Sequence, residues 1–188
     1  MAVTQIPNEL IEFGVKTFGT GSIMLGDTTT GTIDAADYNT GLGVDVFAAL
    51  TTGDYNTAIG NGAGNALTTG LQNTFVGQNT GAAHTTGREN TAVGYAALFT
   101  EDTNSYNTAL GARALQNLNG ADSNTAVGYN ALYAATTGTR NVAVGSNALD
   151  AMTTGYNSTA VGHAALTANT TANSNTAIGA FSMESNTT

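Results

Sequence analysis

The chain has no cysteine among its 188 residues, which excludes disulfides and thiolate metal sites. Charge is nearly as scarce: Asp, Glu, Lys and Arg make up 9%, against roughly 25% in ordinary soluble domains. Only Lys16, Arg88, Arg113 and Arg140 are basic, and the net charge is −9. Nucleic-acid binding requires clustered Lys and Arg at phosphates, and an anionic membrane surface requires a basic patch. Neither partner is expected, and the acidity reads as a solubility device. No apolar run reaches the roughly 20 residues of a membrane span. Residues 1–18 have neither the basic start nor the continuous apolar stretch of a signal peptide. The expectation is a soluble chain made in a cytoplasm, with no membrane insertion.

What the sequence has instead is Gly, Thr, Asn and Ala, with 24 glycines and a single proline. Disordered chains combine high charge with few apolar residues, whereas 41% of this chain is hydrophobic. The bias is also periodic, and a fixed period is the mark of a repeat architecture. The unit is N-T-A-V-G-x-x-A-L-x-x-x-T-T-G-x-x. Its fifth position is glycine at Gly26, Gly43, Gly60, Gly77, Gly94, Gly111, Gly128, Gly145, Gly162 and Gly179, one unit length apart each time with no insertion or deletion.

Position 1 is Asn in eight of ten units, with Ser22 and Ser158 as exceptions. Position 2 is β-branched throughout, from Ile23 to Thr176, and position 4 is aliphatic throughout, from Leu25 to Ile178. Position 3 is small except at Met24 and Phe75. Such residues predict one short strand per unit, with positions 2 and 4 on one face and position 3 on the other. The reading assigns positions 2 and 4 to the interior of the coil. The small residues at position 3 then let neighbouring chains approach. Glycine ends the strand at a bend, a second apolar anchor follows at position 9 or 12, and T-T-G turns the chain. The Asn column reads as a stacked amide ladder, with glycan binding by its amides as a secondary reading.

A helix fails, because Gly, Thr and Asn are poor helix formers and the length of the unit fits no heptad pattern. A parallel all-β solenoid of ten 17-residue turns fits. Strands about 4.8 Å apart would make a rod of roughly 43 Å. So thin a core predicts oligomerisation in place of other staples.

The strand motif resembles the head repeat of trimeric autotransporter adhesins of the YadA type, most closely at Asn141-Val142-Ala143-Val144-Gly145 and Asn175-Thr176-Ala177-Ile178-Gly179. The resemblance spans residues 22–188, with a longer unit than that family's usual one. It implies a left-handed parallel β-roll with three chains around a common axis. Residues 124–132, N-T-A-V-G-Y-N-A-L, set between T-T-G turns, are also similar to repeats of bacteriophage tail-fibre proteins. Residues 1–11 resemble the short leader of phage fibres.

Two regions are therefore expected: a particle-docking segment at 1–21, with Ile6, Pro7, Leu10, Ile11 and Phe13 as its apolar contacts, and a repeat shaft at 22–188. The expected function is a trimeric virion fibre. It would dock through its N-terminus on other tail or portal-proximal proteins and present parts that bind a host glycan or protein. A bacterial surface adhesin is the alternative, and an ice-binding solenoid built on the threonines of positions 13 and 14 stands third. Thr187 and Thr188 fall at positions 13 and 14 of the tenth unit. Further turns and a distal receptor-binding module are expected beyond them.

No catalytic, cofactor or metal site is expected. His84 and His163 occupy different positions of the unit, 12 and 6. Glu101 and Asp102 are adjacent and diverge on a strand, unlike a hydrolase's convergent pair. Gly60-Asn61-Gly62-Ala63-Gly64 lacks the Lys-Ser/Thr and the helix of a phosphate loop. Tyr38, Tyr55 and Tyr106 share position 17, and Tyr95 and Tyr129 share position 6. They read as packing between chains, with sugar binding as the lesser alternative.

Overall fold

The computed structural model describes residues 15–16, 20–25, 35–100 and 103–187. Among these the chain is all β. Three-residue strands recur once per unit, from β2 (Ile23–Leu25) and β3 (Thr40–Leu42) through β8 (Thr125–Val127) to β11 (Thr176–Ile178). Each lies parallel to its predecessor, same position on same position: Thr40 against Thr57, Gly41 against Ala58, Leu42 against Ile59. Ten parallel strands in sequence order make a solenoid of about nine turns. A short β1 (Val15–Lys16) precedes them and pairs antiparallel with β2, Val15 opposite Leu25 and Lys16 opposite Met24. The repeat pattern held no sign of this strand. It places two residues of the expected 1–21 segment in the sheet. Ile6, Pro7, Leu10, Ile11 and Phe13 lie outside the described residues.

The sheet has the opposite sidedness to that expected. Position 3 is inside: Ala58, Ala92, Ala109, Ala126, Ala143 and Ala160 are fully buried. Positions 2 and 4 face outward, and Leu42 keeps 48% of its surface exposed. Alternation along a strand puts neighbours on opposite faces but does not choose the inner one. Volume chooses it. The interior is already occupied by Leu98, Leu115, Leu132, Leu149 and Leu166 at position 9 and by Leu50, Leu67, Leu118 and Met152 at position 12. Opposite them only a methyl group fits. Small position 3 residues therefore serve the chain's own core rather than the approach of a neighbour.

The exceptions obey the same volume rule. Phe75 at position 3 is accompanied by Gly81 at position 9 of its own turn, and Phe47 at position 9 by Gly41 at position 3. A Cβ added to Gly41 would lie 2.9 Å from Met24 and 3.3 Å from the Phe47 ring. Large and small residues are exchanged across the coil, keeping the interior close-packed.

The asparagines of position 1 form the expected ladder, and it is buried: Asn39, Asn56, Asn90, Asn124 and Asn141 are 0% exposed. A buried amide must satisfy its polar atoms. The Asn124 Nδ2 donates to the Gly138 carbonyl at 2.8 Å, and its Oδ1 accepts the Asn141 N–H at 3.0 Å. Ser158 continues the rank, its N–H on Asn141 Oδ1 at 2.9 Å and its Oγ accepting from Asn175 N–H at 3.2 Å.

Glycine at position 5 is required by space and by backbone angle together. Gly128 has φ +135, and a Cβ there would meet the Gly145 carbonyl at 2.6 Å. Three further positions per turn adopt the left-handed conformation without being glycine as a rule, for example Arg113 at position 7, Leu115 at position 9 and Ser123 at position 17. That conformation costs an L-residue roughly 1–2 kcal/mol. It persists because the inter-turn ladder holds the backbone there: Arg113 N–H on Tyr95 O at 2.9 Å, Leu115 N–H on Ala131 O at 3.1 Å and Ser123 N–H on Ser105 O at 3.2 Å.

Candidate interaction surface

With positions 3, 8, 9, 12 and 15 turned inward, the outer face of the sheet carries two parallel ranks. One is position 2, threonine in eight units; the other is position 4, aliphatic in all ten. Ile23, Leu25, Leu42, Ile59, Val93, Leu110 and Ile178 are among the exposed large apolar residues, Ile178 at 72%. The rank is continuous because each strand is in register with the next. Scattered exposed apolar side chains are ordinary on proteins, but a contiguous stripe of them marks an interaction surface. Sequence reasoning singled out these residues and put them inside. The size exchange between positions 3 and 9 was the signal that would have placed them outside.

Tyrosines flank this face. Tyr38 and Tyr55 stack with ring centroids 4.9 Å apart and planes 10° apart, and Arg88 lies 5.9 Å over the Tyr106 ring. Tyr38, Tyr55, Tyr95, Tyr106 and Tyr129 are all exposed. The columns read from the sequence are thus real surface features.

The buried amide ladder offers no atoms to a glycan, so the possibility of sugar binding by the Asn column is withdrawn. His84 is fully buried, edge-on to Phe75 with centroids 5.4 Å apart. Its Nε2 lies 3.2 Å from Asn90 Nδ2. An amide nitrogen only donates, so this ring nitrogen accepts. His163 is exposed, edge-on to Phe181 at 5.0 Å. The two histidines share no site. Glu101 and Asp102 lie outside the described residues.

In the glycine-rich stretch the amides are committed to neighbouring turns: Gly60 N–H to Leu42 O, Gly62 N–H to Val44 O, Gly64 N–H to Thr80 O. A phosphate would have to break the ladder to be held there. Among the described residues there is no pocket, no group of three metal-ligating side chains and no helix long and apolar enough to cross a membrane.

No family model matches the chain, and neither does any curated protein or any solved structure.

Proposed function

We propose that this chain is the shaft of a virion fibre, a parallel left-handed trimer that docks through its N-terminal segment on tail or portal-proximal proteins and holds host-binding parts away from the particle. The observation that carries the trimer is the unpartnered apolar rank of position 4 along the whole sheet. Three chains turned toward a common axis bury that rank, and the flanking tyrosines become the rim of the interface, where such residues are favoured. The virion assignment is supported by the likeness of residues 1–11 and 124–132 to phage fibre sequences.

Light scattering on the purified chain tests the assembly. The expected mass is three times the 18.9 kDa of one chain, and a stable folded monomer overturns it. Deleting residues 1–14, which leaves β1 in place, tests docking. The shaft should still assemble and fail to enter particles; normal incorporation refutes the assignment.

One observation favours a second reading. The position 2 threonines, expected inside, stand on the outer face beside the aliphatic rank, a regular array of hydroxyl and methyl groups of the kind that orders water. Inhibition of ice recrystallisation by a monomeric chain would support an ice-binding solenoid over the fibre.

A further inference from the structure

The sequence has two Asn-Gly pairs, Asn61-Gly62 and Asn119-Gly120, and the structure treats them oppositely. Gly62 is locked. Its N–H donates to Val44 O at 2.9 Å, and a Cβ on it would strike Asn79 Oδ1 at 2.6 Å. Asn119-Gly120 instead replaces T-T at positions 13 and 14 of its turn. At four other corners the N–H of position 14 is held by the next turn: Thr52 by Thr68 O at 3.2 Å, Thr69 by Thr85 O at 3.3 Å, Thr137 by Thr153 O at 3.3 Å, Thr154 by Thr170 O at 3.4 Å. At this corner the next turn's carbonyl, Thr136 O, takes the Asn119 N–H at 2.7 Å, and the Gly120 N–H has no acceptor among the described residues. Gly120 is exposed at φ +80, with nothing within 4 Å of where a Cβ would stand. Asn119 is exposed too, and its side-chain amide makes no hydrogen bond with another described residue.

We propose that Asn119-Gly120 is a site of spontaneous self-modification at which the shaft loses side-chain ammonia as it ages. The Gly120 backbone nitrogen attacks Asn119 Cγ. The new N–C bond closes a five-membered imide, the bond from Cγ to the side-chain nitrogen breaks, and ammonia leaves with the proton from the Gly120 nitrogen. Water then opens the imide. Attack at the former side-chain carbonyl gives aspartate, and attack at the backbone carbonyl gives isoaspartate. The net change is one water consumed and one ammonia released, with no oxidant or reductant.

The reaction needs a free nucleophilic N–H, an unhindered glycine and an uncommitted amide. Asn119-Gly120 has all three, while the ladder bond and Asn79 deny the first two to Asn61-Gly62. The product places a carboxylate on the corner. As isoaspartate it also adds one backbone carbon to a lap whose length is otherwise constant.

The test is incubation of the full chain in mildly alkaline buffer, folded and in urea, followed by peptide mass mapping and labelling with an isoaspartyl methyltransferase. Folded chain should convert at Asn119 at least about tenfold faster than at Asn61, the factor that corresponds to about 1.4 kcal/mol of protection. In urea the two rates should converge. The Asn119→Thr variant should lose the folded-state label. Equal folded-state rates at the two pairs, protection of Asn119 in the folded chain, or a label that survives Asn119→Thr would each overturn the proposal.

Discussion

The Phe75 ring fills the space that a side chain on Gly81 would need: a Cβ there would lie 2.6 Å from the ring. The two residues share one turn and trade volume across it. Phe75→Ala should cost about 3–5 kcal/mol, the usual penalty for emptying a buried aromatic site. Gly81→Leu alone should also destabilise, by overpacking. The double variant recreates the Ala126 and Leu132 pairing of a later turn, whose Leu132 has φ 52 against φ 58 at Gly81. It should recover part of the loss, with a coupling energy of about 0.5–3 kcal/mol in a double-mutant cycle read by urea unfolding. Additive penalties would mean the two sites do not share one cavity.

The sidedness of the sheet can be checked at adjacent residues. Ala126 is fully buried and Val127 faces outward. Ala126→Asp should unfold the chain, since an unpaired carboxylate would enter the core. Val127→Asp should cost the single chain about 1 kcal/mol or less, as surface substitutions do, yet abolish assembly in light scattering. Circular dichroism after heating separates the two effects.

Asn124→Ala should leave the Asn141 N–H and the Gly138 carbonyl buried without partners. Each such group costs about 1–3 kcal/mol, so a loss of about 2–6 kcal/mol is expected in urea unfolding. Asn124→Ser should be milder, because Ser158 shows a hydroxyl accepting the next turn's N–H. Equal losses in the two variants would assign the ladder's contribution to shape rather than to hydrogen bonds.

Asp150 gives the fold a pH dependence of predictable sign. Burial disfavours its charged form and raises its pKa above the ordinary 3.8, outweighing backbone hydrogen bonds that pull the other way. Its Oδ1 is buried with no hydrogen-bond partner. The folded chain therefore binds this proton more tightly than the unfolded one. Stability falls as pH rises from the unfolded value through the folded one, and the penalty stays at neutral pH. Asp150→Asn should raise the melting temperature at pH 7. The gain should vanish in acid below the ordinary carboxylate range. A pH-independent difference would point to packing instead.

The sequence made the lap length, the strand in each lap, the glycine at its end and the amide ladder legible, because each rests on local chemistry repeated ten times. It did not reveal which face of the strand is inside. Alternation is symmetric, and thin coils reverse the usual equation of branched aliphatics with core. The left-handed residues at positions 7, 9 and 17 were equally hidden. Leu115 and Arg113 give no local hint of φ near +52 and +61, since that geometry is imposed by the neighbouring laps. The antiparallel β1 lies outside the repeat and had no periodic signal. The outward rank of the candidate surface was picked out from the sequence as an aliphatic column from Leu25 to Ile178, with its direction wrong.

The ladder bonds join each lap to the one before and the one after. Reach is therefore a quantity that can be altered without redesign. Excising or duplicating one whole lap changes the rod by about 4.8 Å and alters the surroundings of the adjoining laps alone. A protein built this way is a ruler graduated in single turns, and genetic slippage between near-identical repeats would move its end by whole graduations.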